Sequence, residues 1–292
     1  MKSTSDTIER RGVPAENETP ARALEGTVRW RMLSLLDRLF PPDARAFKSS
    51  DEQTGHEIAK ASASIGAYLD ELGGARAGDL NVLDFGCGWG GETLWAASRV
   101  HSICGVDVNS AAIAQARKVL ASSGVSNCRF EWSADGRLPF GDAIFDAVLS
   151  TDTFEHVMDL DHAFAEIARV LKPGGSLISR FGPLFYSPQG YHLYWACQVP
   201  YAHLLFGLNA IVTLRARRGG SPGTAASWQD LGLNGKRFDD YDRSVRRAGF
   251  EIVRFNPIPV KRTGLLARIP VIKDLFIFGI DCHVRKAAGS LR

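Results

Sequence analysis

Residues 81–91 read Asn81-Val82-Leu83-Asp84-Phe85-Gly86-Cys87-Gly88-Trp89-Gly90-Gly91, a short apolar run that carries an acid and opens into glycines. An apolar run of this length, bounded by a turn signal, predicts a buried strand. The glycines let the chain turn sharply into a helix over 93–98 and bring its backbone close to a ligand, whose polar groups can meet the N–H groups at the helix start. Gly86, Gly88 and Gly91 match the spacing G-x-G-x-x-G. Asp107 stands at the end of the next apolar run, where a carboxylate can accept both hydroxyl hydrogens of a ribose. Taken alone, this pattern predicts an adenosine cofactor and does not separate a nicotinamide dinucleotide from any other.

Outward from that loop the same alternation repeats. Short apolar runs at 102–106, 128–132, 145–150 and 176–181 are separated by helical stretches over 111–121, opened by Ser110, and 160–171, opened by Asp159 and closed by Pro173-Gly174-Gly175. Strand and helix in alternation predict an α/β fold: a parallel sheet with right-handed crossovers, helices on both faces, and ligands beyond the carboxyl ends of the strands. A helix over 238–248 and strands at 250–255 and 277–285 complete seven strands. Upstream, helical periodicity covers 24–40, stopped by Pro41-Pro42, and a second helix is expected over 57–72, ended by Gly73-Gly74. The alternation lapses between Gly182 and Arg237, a length typical of a lid. The chain thus divides into a flexible tail (1–22), a helical cap (23–74), a cofactor-binding core (75–181), an inserted substrate lid (182–237) and the end of the core sheet (238–292).

Four stretches in order, VLDFGCGWG (82–90), GVDVN (105–109), SADGRLPFGDAIFDAVLSTDTFEHV (133–157) and IARVLKPGG (167–175), resemble the class I S-adenosylmethionine (SAM) dependent methyltransferases. Within them the chain is similar to the ubiquinone and menaquinone biosynthesis group, closely over 57–181 and loosely over 230–285. Asp84, just before the glycines, is also typical of SAM enzymes. The resemblance implies a Rossmann-like sheet and SAM as cofactor, with Gly86, Gly88 and Gly90 lining its methionine half, Cys87 in the same loop, and Asp84 near its amino group. It implies further that Asp107 holds the ribose, that Val108 lies beside the adenine, and that Ala134-Asp135-Gly136 meets the adenine, Asp135 accepting from the exocyclic amine. Ser150 and Thr151 would border the sulfonium.

Methyl transfer from a sulfonium is an in-line displacement, so holding the acceptor in line and excluding water is most of the task. A hydroxyl acceptor gains from a base as well. His156, His192 and Tyr186 are the candidates. Asp152, Glu155 and His156 (D-x-x-E-H) resemble a cation-binding pattern of some quinone O-methyltransferases; the first acid differs in length from that pattern, and no metal is assigned.

Composition narrows the partners. Lys+Arg 35 against Asp+Glu 32 leaves a net charge of +3, too little for a nucleic-acid binder. No Asn/Asp-Pro-Pro-aromatic motif or Pro-Cys pair stands where enzymes that methylate nucleic-acid bases carry them. The expected partner is a small molecule. The charge is also unevenly placed: the lid carries Arg215, Arg217, Arg218, Lys236 and Arg237 against Asp230 alone, and Lys261 to Arg292 is basic too, so the rest of the chain is net acidic. Tyr191 to Leu214 has no charged residue, and 261–280 is apolar and basic. Both stretches are candidates for contact with a lipid-like acceptor or a membrane interface. The lid holds Tyr186, Tyr191, Tyr194, Tyr201, Trp195 and Trp228, which could enclose an acceptor or pack as the lid's own core. Five cysteines without metal or redox spacing, and an amino-terminal stretch without an apolar run, fit a cytoplasmic protein. Two rival readings are an NAD(P)-dependent oxidoreductase using the same glycine loop and a catalytically silent SAM-fold interaction protein.

Overall fold

The computed structural model describes residues 27–41, 49–134, 136–193, 196–218 and 225–289. The tail 1–22, Leu24, Asp135, Tyr194 and Trp195 lie outside them. A seven-stranded sheet runs in the order β3-β2-β1-β4-β5-β7-β6, formed by β1 (Asn81–Phe85), β2 (Ser102–Asp107), β3 (Cys128–Trp132), β4 (Phe145–Thr151), β5 (Leu171–Phe181), β6 (Phe250–Pro259) and β7 (Ile277–Lys286). The first five strands are parallel, and β7 is antiparallel to both of its neighbours. This is the Rossmann-like architecture expected from the alternation. Its topological switch lies between β1 and β4, where ligands of such sheets bind.

The central strands read as continuous apolar runs because both faces are covered. In β1, Val82 packs with Ile103, Ile113 and Phe130 on one face, while Leu83 packs with Val148, Phe154 and Phe164 on the other. The glycine loop leads into α4 (Gly91–Ala97). The crossover α5 (Ser110–Ser123) is capped by Asn109 rather than Ser110, its side chain accepting from Ala111 and Ala112 N–H, and ends at Gly124 in the left-handed conformation. Asp159 caps α6 (Leu160–Val170) as expected. β5 begins earlier than expected, at Leu171, which pairs with Phe145 across a register shift that takes in Pro173-Gly174-Gly175.

The amino-terminal region departs from the expected pair of helices. The helix expected over 57–72 is two, α2 (Ser50–Lys60) and α3 (Ile65–Glu71), following α1 (Val28–Leu39). A capping box of Ser49 and Glu52 starts α2, eight residues before any apolar periodicity is visible. The break falls at Ser64, whose hydroxyl bonds Lys60 and Ala61 carbonyls and the Glu92 carboxylate. Gly66 follows because a Cβ there would meet the Trp95 ring at 2.8 Å.

α1 does not join this cap. Trp30 and Leu33 pack into a separate core with Tyr191, Cys197, Val199, Phe206 and Ile211 of the lid, which contains α7 (Ala202–Phe206) and α8 (Leu208–Arg217). Arg218 pairs with Asp37, and the Arg217 guanidinium lies 4.6 Å over Trp30. α1 and the 182–237 segment, expected as a lid, therefore share one core, whereas the expected 23–74 cap joined α1 to α2 and α3. The described part of the uncharged 191–214 stretch packs largely into that core, and among its described residues Leu205 is the most exposed apolar one. Among the described residues no helix is long and apolar enough to cross a membrane. The carboxyl-terminal part adds α9 (Phe238–Arg247) and α10 (Lys273–Phe276).

Candidate active site

The glycine loop is fastened to β2. Gly86 and Cys87 donate to the Val106 carbonyl at 2.8 and 3.0 Å, and Gly88 N–H donates to Asp107 Oδ2 at 2.9 Å. Asp107 Oδ1 accepts from Asn109 N–H at 2.7 Å, so this carboxylate ties the loop to the turn after β2 while facing the groove. Gly86 has φ +78°, and a Cβ there would lie 2.3 Å from Thr153.

The loop's other side is held by a residue the motifs do not reveal. Glu57, from α2, accepts from Gly91 N–H at 2.8 Å and Trp89 N–H at 3.4 Å. It takes the first N–H group of α4 and that of Trp89 just before it, two donors that an anionic ligand would otherwise use. Burial raises the Glu57 carboxyl above its ordinary value. Asp84 is buried, accepts from Thr93 Oγ1 at 2.5 Å, and titrates at about 8 because burial, followed by Glu92, Glu57 and Asp107, disfavours its charge. Glu92 is buried too and faces Lys60 at 3.4 Å.

Three adjoining cavities follow. One of ≈ 260 Å³ is walled by Asp84, Glu57, Glu92, Lys60, Gly86 and Gly88. One of ≈ 650 Å³ runs past Asp107, Val108, Ala134, Gly136, Leu138 and His156. These two share Gly86, Gly88 and Asp152. A third, of ≈ 360 Å³, shares Lys60, Thr151 and Asp152 with the first and adds Tyr68, Arg180 and Arg254. Arg254 is already paired with Glu71 and Asp281.

Most residues singled out from the motifs stand at these walls. Cys87 lies beside the smallest cavity, its thiol driven well up by burial, and Val108 is exposed at the rim. Gly90 and Ser150 stand behind the walls instead. A Cβ on Gly90 would meet Ala116 and Phe130 at 2.7 Å, and the buried Ser150 hydroxyl donates to the Phe85 carbonyl. Both positions serve packing of the loop. Tyr186 lines none of the three cavities; its ring lies beneath the Arg237 guanidinium at 4.6 Å. Glu57, Lys60, Glu92, Tyr68 and Arg180 were missed, because cap residues and the far strand meet the loop only in three dimensions.

Of the D-x-x-E-H residues, Asp152 stands apart from the other two. Asp152, at φ +49°, points toward Lys60 at 3.9 Å. Glu155 turns the other way, its Oε1 accepting from Gly182 N–H at 3.1 Å. His156 and His192 meet instead, ring centroids 4.7 Å apart. His156 Nδ1 lies 2.7 Å from the Gly232 carbonyl and His192 Nε2 lies 2.7 Å from the Pro183 carbonyl. Burial, with His156 and His203 nearby, lowers His192 to about 4, so its ring is neutral at physiological pH.

Comparison with known proteins agrees with the motifs. Residues 83–179 match a family model described as a methyltransferase domain. Methyltransferase GfsG of Streptomyces halstedii is 34% identical over 98 residues, 33% of this chain and 35% of that protein. A sterol 24-C-methyltransferase of Gibberella zeae is 33% identical over 170 residues, 56% of this chain and 44% of that protein. The chain thus spans less than half the length of the curated relatives it matches. The crystal structure of YcgJ from Bacillus subtilis superposes with a TM-score of 0.51 at 18% identity, covering 78% of this chain and 99% of that one. That likeness concerns the fold. The resemblance to class I methyltransferases therefore extends from the motifs to the sheet that carries them.

Proposed function

We propose that the protein is a SAM-dependent methyltransferase acting on a small-molecule acceptor. One observation carries this reading: the glycine loop is surrounded by carboxyl groups, and Glu57 already occupies the N–H groups of Trp89 and of Gly91, the first residue of α4. A dinucleotide would bring its pyrophosphate to that spot, where the Gly91 and Trp89 N–H groups are already taken by the Glu57 carboxyl and Glu92 stands close by. SAM brings an ammonium and a sulfonium, which the same carboxylates attract, and its adenosine fits the larger cavity past Asp107 and Val108. Thr151 and Asp152 then border the sulfur, and the third cavity receives the acceptor. The acceptor atom bonds the methyl carbon as the carbon–sulfur bond breaks, and the electron pair stays on sulfur as S-adenosylhomocysteine (SAH) forms. His156 lines the adenosine cavity and His192 none of the three, so neither is assigned as a base for an acceptor in the third cavity, and Tyr186, engaged by Arg237, is left out of the chemistry as well.

Calorimetry tests this reading. SAM is expected to bind and NADH not to. Asp84 is mostly protonated in the free protein at pH 7, and an ammonium beside it favours the charged form. Binding is therefore expected to release close to one proton per site at pH 7, and less above pH 8, read from heats in buffers of different ionisation enthalpy. Tight NADH binding without SAM binding would overturn the assignment, and uptake of protons would overturn a neutral Asp84 in the free protein.

A finer proposal concerns the surroundings. Leu265 and Val271 are 80% and 89% exposed, beside Ile269 and Leu266 and among Lys261, Arg262 and Arg268. Apolar side chains on a basic rim suit an anionic membrane surface, where a lipid-linked acceptor would be met. Vesicles of phosphatidylglycerol and phosphatidylcholine should sediment the protein, and phosphatidylcholine alone should do so weakly. Leu265→Glu with Val271→Glu is expected to reduce that binding at least tenfold; unchanged sedimentation would remove the proposal.

A further inference from the structure

We propose that Glu155, His156 and His192 form a site for one divalent transition-metal ion, of the Zn²⁺ and Co²⁺ class, where the lid meets the core. A ligand-capable atom of each of the three lies within 4.8 Å of those of the other two. Donors around Zn²⁺ sit about 3.3 Å apart at ordinary bond lengths, so the rings need shift by only about 1 Å or so. His156 is exposed and has room to do this.

The surroundings resemble those of built metal sites. Ligating imidazoles characteristically give their second N–H to a carbonyl or carboxylate, which fixes tautomer and orientation. Here both do: His156 Nδ1 is 2.7 Å from Gly232 O and His192 Nε2 is 2.7 Å from Pro183 O, so His156 Nε2 and His192 Nδ1 are the nitrogens that would take the ion. The carboxylate is the independent observation. Glu155 is 3% exposed, its Oε1 is anchored by Gly182 N–H, and its buried Oε2 has no hydrogen-bond partner among the described residues. A buried carboxylate oxygen left unsatisfied is costly unless something binds it. A cation between Glu155 and the two imidazoles would satisfy it.

The donor set also selects the metal. Two imidazoles and one carboxylate suit Zn²⁺, Co²⁺, Ni²⁺ or Fe²⁺, whereas Mg²⁺ prefers an all-oxygen shell. This set differs from the D-x-x-E-H spacing, because Asp152 faces Lys60 and the lid's His192 takes its place. Three protein ligands leave a position open. His156 lines the large cavity, so that position faces the cofactor groove, and the ion would fasten the 182–237 segment to the core. Metal binding stands apart from the methyltransferase reading.

The test is a titration of the metal-free full chain with Co²⁺, followed by its visible d–d absorption, and a competition with Zn²⁺. One Co²⁺ per chain in a low-symmetry, four- or five-coordinate spectrum is expected, displaced by Zn²⁺ and not by a hundredfold excess of Mg²⁺. His192→Ala and Glu155→Gln should each weaken Co²⁺ binding at least tenfold, with thermal melting confirming that each variant is folded. Asp152→Asn should leave the affinity within threefold. Absence of stoichiometric binding, indifference to His192→Ala, or loss on Asp152→Asn would each overturn the site. SAM calorimetry on the same samples reports separately on the cofactor reading, so the two can fail independently.

Discussion

Gly86→Ala is expected to lower the melting temperature by on the order of 10 °C and to weaken SAM binding at the same time. Two costs add. Alanine in the left-handed region costs about 1–2 kcal/mol, and forcing a methyl into a packed site typically costs about 1–3 kcal/mol more. Gly86 has φ +78°, and the added Cβ would lie 2.3 Å from Thr153 Cγ2 and Oγ1 and 2.8 Å from its Cβ. The neighbour cannot simply swing away, because Thr153 Oγ1 bonds the Thr151 carbonyl at 2.9 Å. A total of roughly 2–5 kcal/mol is a large fraction of the stability of an ordinary domain, and at this chain length each kcal/mol moves the midpoint by about 2–4 °C. The double variant Gly86→Ala, Thr153→Gly separates the terms. It should recover the steric part and keep the backbone part, so its midpoint should fall between those of wild type and the single variant. A single variant that melts with the wild type would mean the loop relaxes without cost.

That loop also shows what the sequence could and could not disclose. The strand, the turn and the crossover were readable because they depend on neighbours in the chain: NVLDF is apolar by itself, Gly86 needs its φ locally, and Asp107 follows its own strand. The site's charge was not readable. Glu57 stands at the first position of the helix expected over 57–72, and nothing in that helix's pattern sets its side chain apart as a partner of the loop. Its contact with Gly91 spans a whole strand and helix, and no local pattern encodes it. The D-x-x-E-H spacing misled for a related reason. Glu155 and His156 share a single turn, but Asp152 stands at φ +49°, which turns its side chain toward Lys60, and His192 arrives from the lid. The aromatics of the lid read equally well as a substrate cage or a core. Tyr191 decides for the core, being 1% exposed with its hydroxyl bonded to the Cys197 and Val199 carbonyls.

Asp107→Ala should have the largest effect on ligand binding. The carboxylate has two tasks on the same two oxygens: in the free protein it fixes the loop through Gly88 N–H and the following turn through Asn109 N–H, and in the proposed complex it accepts both ribose hydroxyls. A hydrogen bond to a charged group contributes about 1.5–3 kcal/mol, so losing two ribose bonds should weaken SAH binding on the order of a hundredfold or more. Loss of loop anchoring would also weaken binding, and the two contributions need separating. Analogues of SAH lacking one ribose hydroxyl provide the means. Against wild type each should bind roughly tenfold or more weakly than SAH, whereas against Asp107→Ala the analogue and SAH should bind alike, a coupling that only direct contact produces. Asp107→Asn sharpens the comparison, since its amide oxygen can accept from one N–H while its amide nitrogen opposes the other donor; intermediate affinity is expected. If the missing hydroxyl costs the same in wild type and Asp107→Ala, Asp107 acts by holding Gly88, and the ribose is bound elsewhere.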